Sequence, residues 1–180
     1  MIDSAYDAIL DNLFIGSKDA LDEHSNNEDN PFHFIVNCTV NIPFPKYSMP
    51  LQLRIPIDDD TDDSIKFLEM MVYTNVLEKI YKCICQKQKV LVYSNFGQQR
   101  SCALAACFLI KYLKIKPIQA IKYVCSKRKE AFLSDNHFEH TIHFYYEYLK
   151  LEKENRLLNR NNKFFQKIDE NKKKDVQPII

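Results

Sequence analysis

At 180 residues the chain has the length of one domain with a short extension. Its 25 basic and 24 acidic residues leave a net charge of +1, which argues against a nucleic-acid partner or an acidic membrane surface. Hydrophobic residues make up 46%, enough for a core without staples, and no apolar run approaches the roughly 20 residues of a membrane span. The start, Met1-Ile2-Asp3, shows neither a secretory leader pattern nor a glycine for myristoylation.

Ala8 to Ser17 reads as a short strand and a turn, and Ser17 to Asp22 as the opening of a short helix. His24 to Pro31 is polar and loop-like. Phe34-Ile35-Val36-Asn37-Cys38-Thr39 is a β-rich apolar run. Pro43, Pro45 and Pro50 then mark an irregular, extended connection. Leu51 to Ile57 alternates in polarity and predicts another strand. After the acidic run Asp58–Asp63, one long helix is expected from Ser64. Its apolar face is expected to be Ile65, Leu68, Val72, Val76, Ile80 and Ile84. Val90-Leu91-Val92 is a short continuous apolar run, the pattern of a central buried strand. Ser101–Leu113 is strongly apolar and helical. Pro117 suits the first turn of a further helix ending near Arg128. A last helix is expected from about Ser134, with Ile142, Tyr145, Tyr146 and Leu149 on one face. Strands alternating with helices predict an α/β domain with a mostly parallel central sheet flanked by helices, over residues 6–150. Residues 151–180, rich in Lys, Asn and Glu, are expected to be a polar helical extension that frays into a disordered tail.

The six cysteines, at 38, 83, 85, 102, 107 and 125, form no Cys-x-x-Cys pair and have no histidine at ligand spacing. They are expected to be buried, reduced thiols of a cytoplasmic protein, with a nuclear location also compatible. The acidic run lacks the Gly and distal Glu of a calcium loop, and is expected mainly to be solvated and to cap the following helix. His137, His140 and His143 recur every three residues, which on a helix more often means exposed positions than a metal site. No metal and no cofactor are expected.

Glycine occurs only at positions 16 and 97, so each is expected where the backbone demands it. Gly97 lies in Val90-Leu91-Val92-Tyr93-Ser94-Asn95-Phe96-Gly97-Gln98-Gln99-Arg100-Ser101, a buried strand, a loop and the start of a helix. Such a loop presents several backbone N–H groups, and the helix dipole adds positive field, so it suits an anion. Arg100 can then fork onto a phosphate.

Tyr93-Ser94-x-x-Gly97-x-x-Arg100-Ser101 resembles the signature His-Cys-x-x-Gly-x-x-Arg-Ser/Thr of the dual-specificity protein phosphatases, within the protein tyrosine phosphatase superfamily. Four further segments are similar to that family in the same order. They are Leu13–Ser17, Ile35–Thr39, Ile55-Pro56-Ile57-Asp58-Asp59, and Lys127-Arg128 followed by Asn136-His137-Phe138. The resemblance covers roughly Tyr6 to Leu149. It implies a protein tyrosine phosphatase-like fold of the dual-specificity type. It implies a phosphate-binding loop of Ser94, Asn95, Phe96, Gly97, Gln98, Gln99 and Arg100. Arg100 takes the place of the phosphate clamp and Ser101 that of the assisting hydroxyl. Asp59 is the aligned general acid, with Asp58 and Asp60 as near alternatives. The nucleophile position reads Ser94 and the preceding histidine position reads Tyr93.

A thiol titrates near ~8.5 and a positive loop can lower that by several units. A serine hydroxyl starts far higher and needs an adjacent general base. Tyr93 is protonated at neutral pH and is a poor base. The expectation is therefore a pseudophosphatase that holds a phosphoprotein or phosphopeptide without hydrolysing it. A second reading is an active phosphatase whose nucleophilic Cys was changed to Ser at 94, although such a change would normally leave the preceding histidine in place. A third is a scaffold that binds a partner by another surface. The sequence leaves the oligomeric state open.

Overall fold

The structure, a computed structural model, describes residues 4–20, 32–44, 51–59, 63–133 and 138–174, with side chains to residue 159. The expected loop at His24–Pro31, Pro45 and Pro50, Asp60, and Asn136-His137 lie outside the described residues, as do Leu21 and Asp22 of the expected Ser17–Asp22 helix.

The first strand expected from sequence is two. β1 (Tyr6–Leu10) and β2 (Leu13–Gly16) pair antiparallel across Asp11-Asn12. Asn12 has φ 66°, in the left-handed region that asparagine tolerates better than most residues. β3 (Phe34–Asn37), β4 (Leu51–Arg54) and β5 (Val90–Tyr93) complete a sheet of order β1-β2-β5-β3-β4. β5 is central and runs parallel to β2 and β3, and β3 runs parallel to β4. The mostly parallel sheet read from the strand–helix alternation is therefore present. β4 stops short of Ile57. Ile55 N–H still donates to Asn37 O (2.8 Å), but Pro56 has no N–H with which to extend the ladder.

The single helix expected after the acidic run is also two, α1 (Ser64–Thr74) and α2 (Val76–Cys85). Asn75, at φ 53°, breaks the hydrogen-bond ladder between them. The break re-aims the first half. Phe67 and Met71 are buried there, whereas the expected core positions Ile65 and Val72 are exposed. Val76 and Ile80 are buried as expected. A run of four-residue steps drifts around a helix, and the local break decided which row faced inward.

α3 (Arg100–Leu113) is buried from Arg100 to Ile110, on all sides, with an apolar run from Cys102 to Ile110 after the polar Arg100 and Ser101. It packs on β5 and β2 and against α4 (Pro117–Lys127), which begins on the expected proline. On the other sheet face, Ile35, Leu91 and Tyr93 meet Ala20 and Phe32. Tyr6, Phe14 and Phe32 close this side with edge-to-face contacts at 5.5–5.9 Å. Burial on both faces is what allows the apolar runs Phe34-Ile35-Val36 of β3 and Val90-Leu91-Val92 of β5.

α5 (Glu139–Lys174) continues from the last helix expected from sequence into the polar extension. No Pro or Gly interrupts residues 151–174, and Leu, Glu, Lys, Arg and Gln are good helix formers. The chain divides into two compact units, Met1–Tyr146 and Glu147–Ile180.

Cys38, Cys102 and Cys107 are buried and all six thiols are free, but Cys85 and Cys125 are exposed, contrary to the expectation of general burial. Burial pushes the Cys38 thiol up to about 12, against a smaller downward pull from Arg100, and pushes Cys102 and Cys107 up as well. The unfolded chain ionises these thiols near pH ~8.5, whereas the folded chain holds them neutral. The stabilisation is complete below that pH and is lost as pH rises toward the folded values. Urea midpoints are expected to fall progressively above pH ~9, and less steeply in Cys38→Ala.

Candidate functional site

The loop from Ser94 to Gln99 leaves the carboxyl end of the central parallel strand, where open α/β sheets present their ligand crevices. It is stitched to the end of β2. Ser94 N–H donates to Gly16 O (3.2 Å), and Lys18 N–H donates to Asn95 O (3.2 Å). The two glycines of the chain meet here. Gly97 has φ 66°, and a Cβ on it would lie 2.4 Å from Gly16 C, 2.5 Å from Gly16 O and 2.6 Å from Ser17 N. A Cβ on Gly16 would in turn lie 2.6 Å from Ala5 O. The expectation that each glycine marks a backbone demand has this physical content: two chain segments touch backbone to backbone.

The loop carbonyls are turned into the protein. Gly97 O accepts from Arg128 Nε (2.8 Å) and from Cys102 Sγ (3.2 Å). Phe96 O accepts from Arg128 Nη2 (3.4 Å), Gln98 O from Phe132 N–H (3.0 Å) and Gln99 O from Ala103 N–H (2.8 Å). The backbone N–H groups of residues 95–98 donate to no acceptor among the described residues. A loop whose carbonyls are satisfied behind it and whose N–H groups are unspent is an anion nest. It opens directly into the N-terminus of α3.

Arg128 holds this arrangement and was not singled out as a site residue from sequence. Besides its bonds to Phe96 and Gly97, its Nη1 donates to Asp7 Oδ2 (2.6 Å) and Ser4 O (3.3 Å). It is only 3% exposed. Lys127-Arg128 was visible as a segment of the family resemblance, but its reach back to β1 was not.

The structure brings together Ser94, Ser101, Arg100 and Asp59. Ser94 Oγ and Ser101 Oγ are 3.2 Å apart and buried. Arg100 Nη1 donates to Ile57 O (2.8 Å), and its Nη2 pairs with Asp59 Oδ2 (3.3 Å). Arg100 Nε is buried and has no hydrogen-bond partner among the described residues. Asp58 does not reach the arginine: its N–H donates to Asp63 Oδ2 (2.9 Å), which also pairs with Lys66. Asp63 thus ties the two ends of the acidic loop together, in place of the side-chain helix cap expected there. Asn95 and Gln98 are partly exposed, Gln99 is buried, and Phe96 is the exposed side chain of the loop. Tyr93 is buried, and its hydroxyl donates to Pro43 O (3.2 Å). Cys102, whose thiol donates to Gly97 O, and Cys38, which feels the charge of Arg100, are kept neutral by burial. His140 and His143 are exposed on α5, and His143 Nε2 lies 3.7 Å from Glu139 Oε1.

The sheet order, the central strand-loop-helix and the arginine at the helix start define an α/β domain of the protein tyrosine phosphatase type. Residues 13–148 match the family described as dual specificity phosphatase, catalytic domain, and the chain belongs to that family. Among solved structures it is similar to human DUSP28, at 22% identity and a TM-score of 0.73, covering 83% of this chain and 97% of that one. A mouse putative dual specificity phosphatase complexed with zinc tungstate matches at 22% identity and TM-score 0.70, covering 83% of this chain and 91% of that one. The human tyrosine phosphatase-like serine/threonine/tyrosine-interacting protein matches at 24% identity and TM-score 0.63, covering 81% and 97%. No curated protein matches the chain by sequence. Among the described residues no helix is long and apolar enough to cross a membrane.

Proposed function

We propose that the chain is a pseudophosphatase: it binds phosphorylated Ser, Thr or Tyr of a partner protein and does not hydrolyse it. The observation that carries this reading is the surroundings of Ser94. Its hydroxyl meets one side-chain partner among the described residues, and that partner is another hydroxyl, Ser101. Neither can take a proton from the other at neutral pH, and a serine without a general base is a weak nucleophile. Tyr93, beside it in sequence, is committed to Pro43. Substitution of a thiolate by a thiol nearby is also unsupported, because burial holds Cys38 and Cys102 protonated.

Binding depends on other groups, and those are assembled. The unspent N–H groups of residues 95–98, the α3 N-terminus and Arg100 supply hydrogen bonds and positive field for a dianion. A neutral serine also brings no negative charge to oppose it. In this reading a phosphoprotein is shielded from active phosphatases, in the cytoplasm or nucleus, with no metal or cofactor.

Aryl-phosphate hydrolysis separates the reading from that of a phosphatase in which a cysteine was replaced. The parent chain is expected to stay at the buffer rate. Ser94→Cys is expected to gain at least about 100-fold, since the positive loop would favour a thiolate. Turnover by the parent above background, abolished in Arg100→Ala, would sink the pseudophosphatase reading.

A further inference from the structure

The phosphate edge of Arg100 is half occupied by the protein itself. A guanidinium offers a carboxylate or phosphate two parallel donors along one edge, Nε–H and Nη2–H. In Arg100 the third nitrogen, Nη1, is anchored on Ile57 O (2.8 Å), which fixes the plane of the fork against the segment that follows β4. Nε is buried and has no hydrogen-bond partner among the described residues. Nη2 holds Asp59 Oδ2 at 3.3 Å, a single long contact where a fork would make two. The Arg100 side chain is 7% exposed and Ser94 2%, while Asp59 remains 38% exposed. The carboxylate is thus the exposed partner of the pair and the arginine the buried one.

We propose that Asp59 is an internal competitor for the phosphate site, so that a phosphate group enters only as Asp59 leaves Arg100. This rests on the phosphate-binding reading above and assigns Asp59 a role in regulating the site. The loop is built for such an exchange. Asp59 is held by one partly exposed ion pair, and pairs of this kind contribute little. A phosphate offers the arginine both acceptors, satisfies the buried Nε and reaches the free loop N–H groups as well. Asp63, by holding Asp58 N–H (2.9 Å), keeps the carboxylate close enough to return when the ligand leaves.

The test is calorimetric titration of inorganic phosphate into the parent chain, Asp59→Asn, Asp58→Asn and Ser94→Cys, with thermal melts confirming that each folds. Asp58→Asn removes the same charge from the same loop without touching Arg100, so it measures long-range electrostatics alone. Asp59→Asn is expected to bind phosphate about two- to fivefold more tightly than the parent, the range of an exposed ion pair. Asp58→Asn is expected to gain less than half of that. Equal or weaker binding by Asp59→Asn, or an equal gain in Asp58→Asn, overturns the competitor while leaving the phosphate site standing. Absence of binding in the parent and every variant overturns the phosphate-binding reading and the competitor with it. Binding by Asp59→Asn alone is the strongest supporting result.

Discussion

Replacing Arg100 with alanine is expected to weaken binding of a phosphotyrosine or phosphothreonine peptide by about 100-fold or more. Two hydrogen bonds to a charged group are removed together, each worth about 1.5–3 kcal/mol. The loop N–H groups remain, so residual affinity is expected rather than none. Arg100→Lys keeps the charge but loses the planar fork, and should fall between the two. Titration calorimetry on the three proteins reads this directly. Equal affinity in the parent and Arg100→Ala would show that the ligand binds elsewhere and would favour a scaffold that uses another surface. Melting curves are needed beside it, because Arg100 also joins the segment after β4 to the start of α3 through Ile57 O.

Gly97→Ala is expected to be the most damaging single substitution in the loop. The residue sits at φ 66°, where any side chain is strained, and its Cβ would fall 2.4–2.6 Å from the backbone of Gly16 and Ser17. Backbone cannot step aside as a flexible side chain can. The left-handed conformation costs about 1–2 kcal/mol and forced overpacking about 1–3 kcal/mol, so about 2–5 kcal/mol is expected in denaturant unfolding. If the fold survives by moving the loop off β2, phosphate affinity should fall with it. A Gly97→Ala protein with unchanged stability and unchanged binding would refute the backbone contact. Gly16→Ala is expected to act similarly, because its Cβ would meet Ala5 O at 2.6 Å.

The two substitutions probe opposite sides of one construction. Gly97 and Arg128 shape the loop from behind, through backbone contact and carbonyl bonds. Arg100 and Asp59 govern its open side. Affinity and stability are therefore expected to separate in Arg100 variants and to move together in Gly97 variants.

The sequence by itself determined the strand-loop-helix, since Val90-Leu91-Val92, a lone Gly97 and the apolar Ser101–Leu113 are local patterns. It also determined the chemical oddity of the site, because Ser94 and Tyr93 are read directly and their protonation at neutral pH follows from the functional groups. Periodicity failed where one residue reset it. Asn75 divided the expected helix and turned Phe67 and Met71 inward in place of Ile65 and Val72. Tertiary structure alone decided which carboxylate of the acidic run meets Arg100, because Asp59 and Arg100 are 41 positions apart and three-dimensional closure selects between neighbours. It alone placed Arg128 behind the loop, through a bond to Asp7 across 121 positions. It alone brought the Tyr93 hydroxyl to Pro43 O, 50 positions away. The division has one physical cause. Backbone preference and functional-group chemistry act within a few residues, whereas the partner a charged or hydroxyl group finds depends on segments that meet only when the chain has folded.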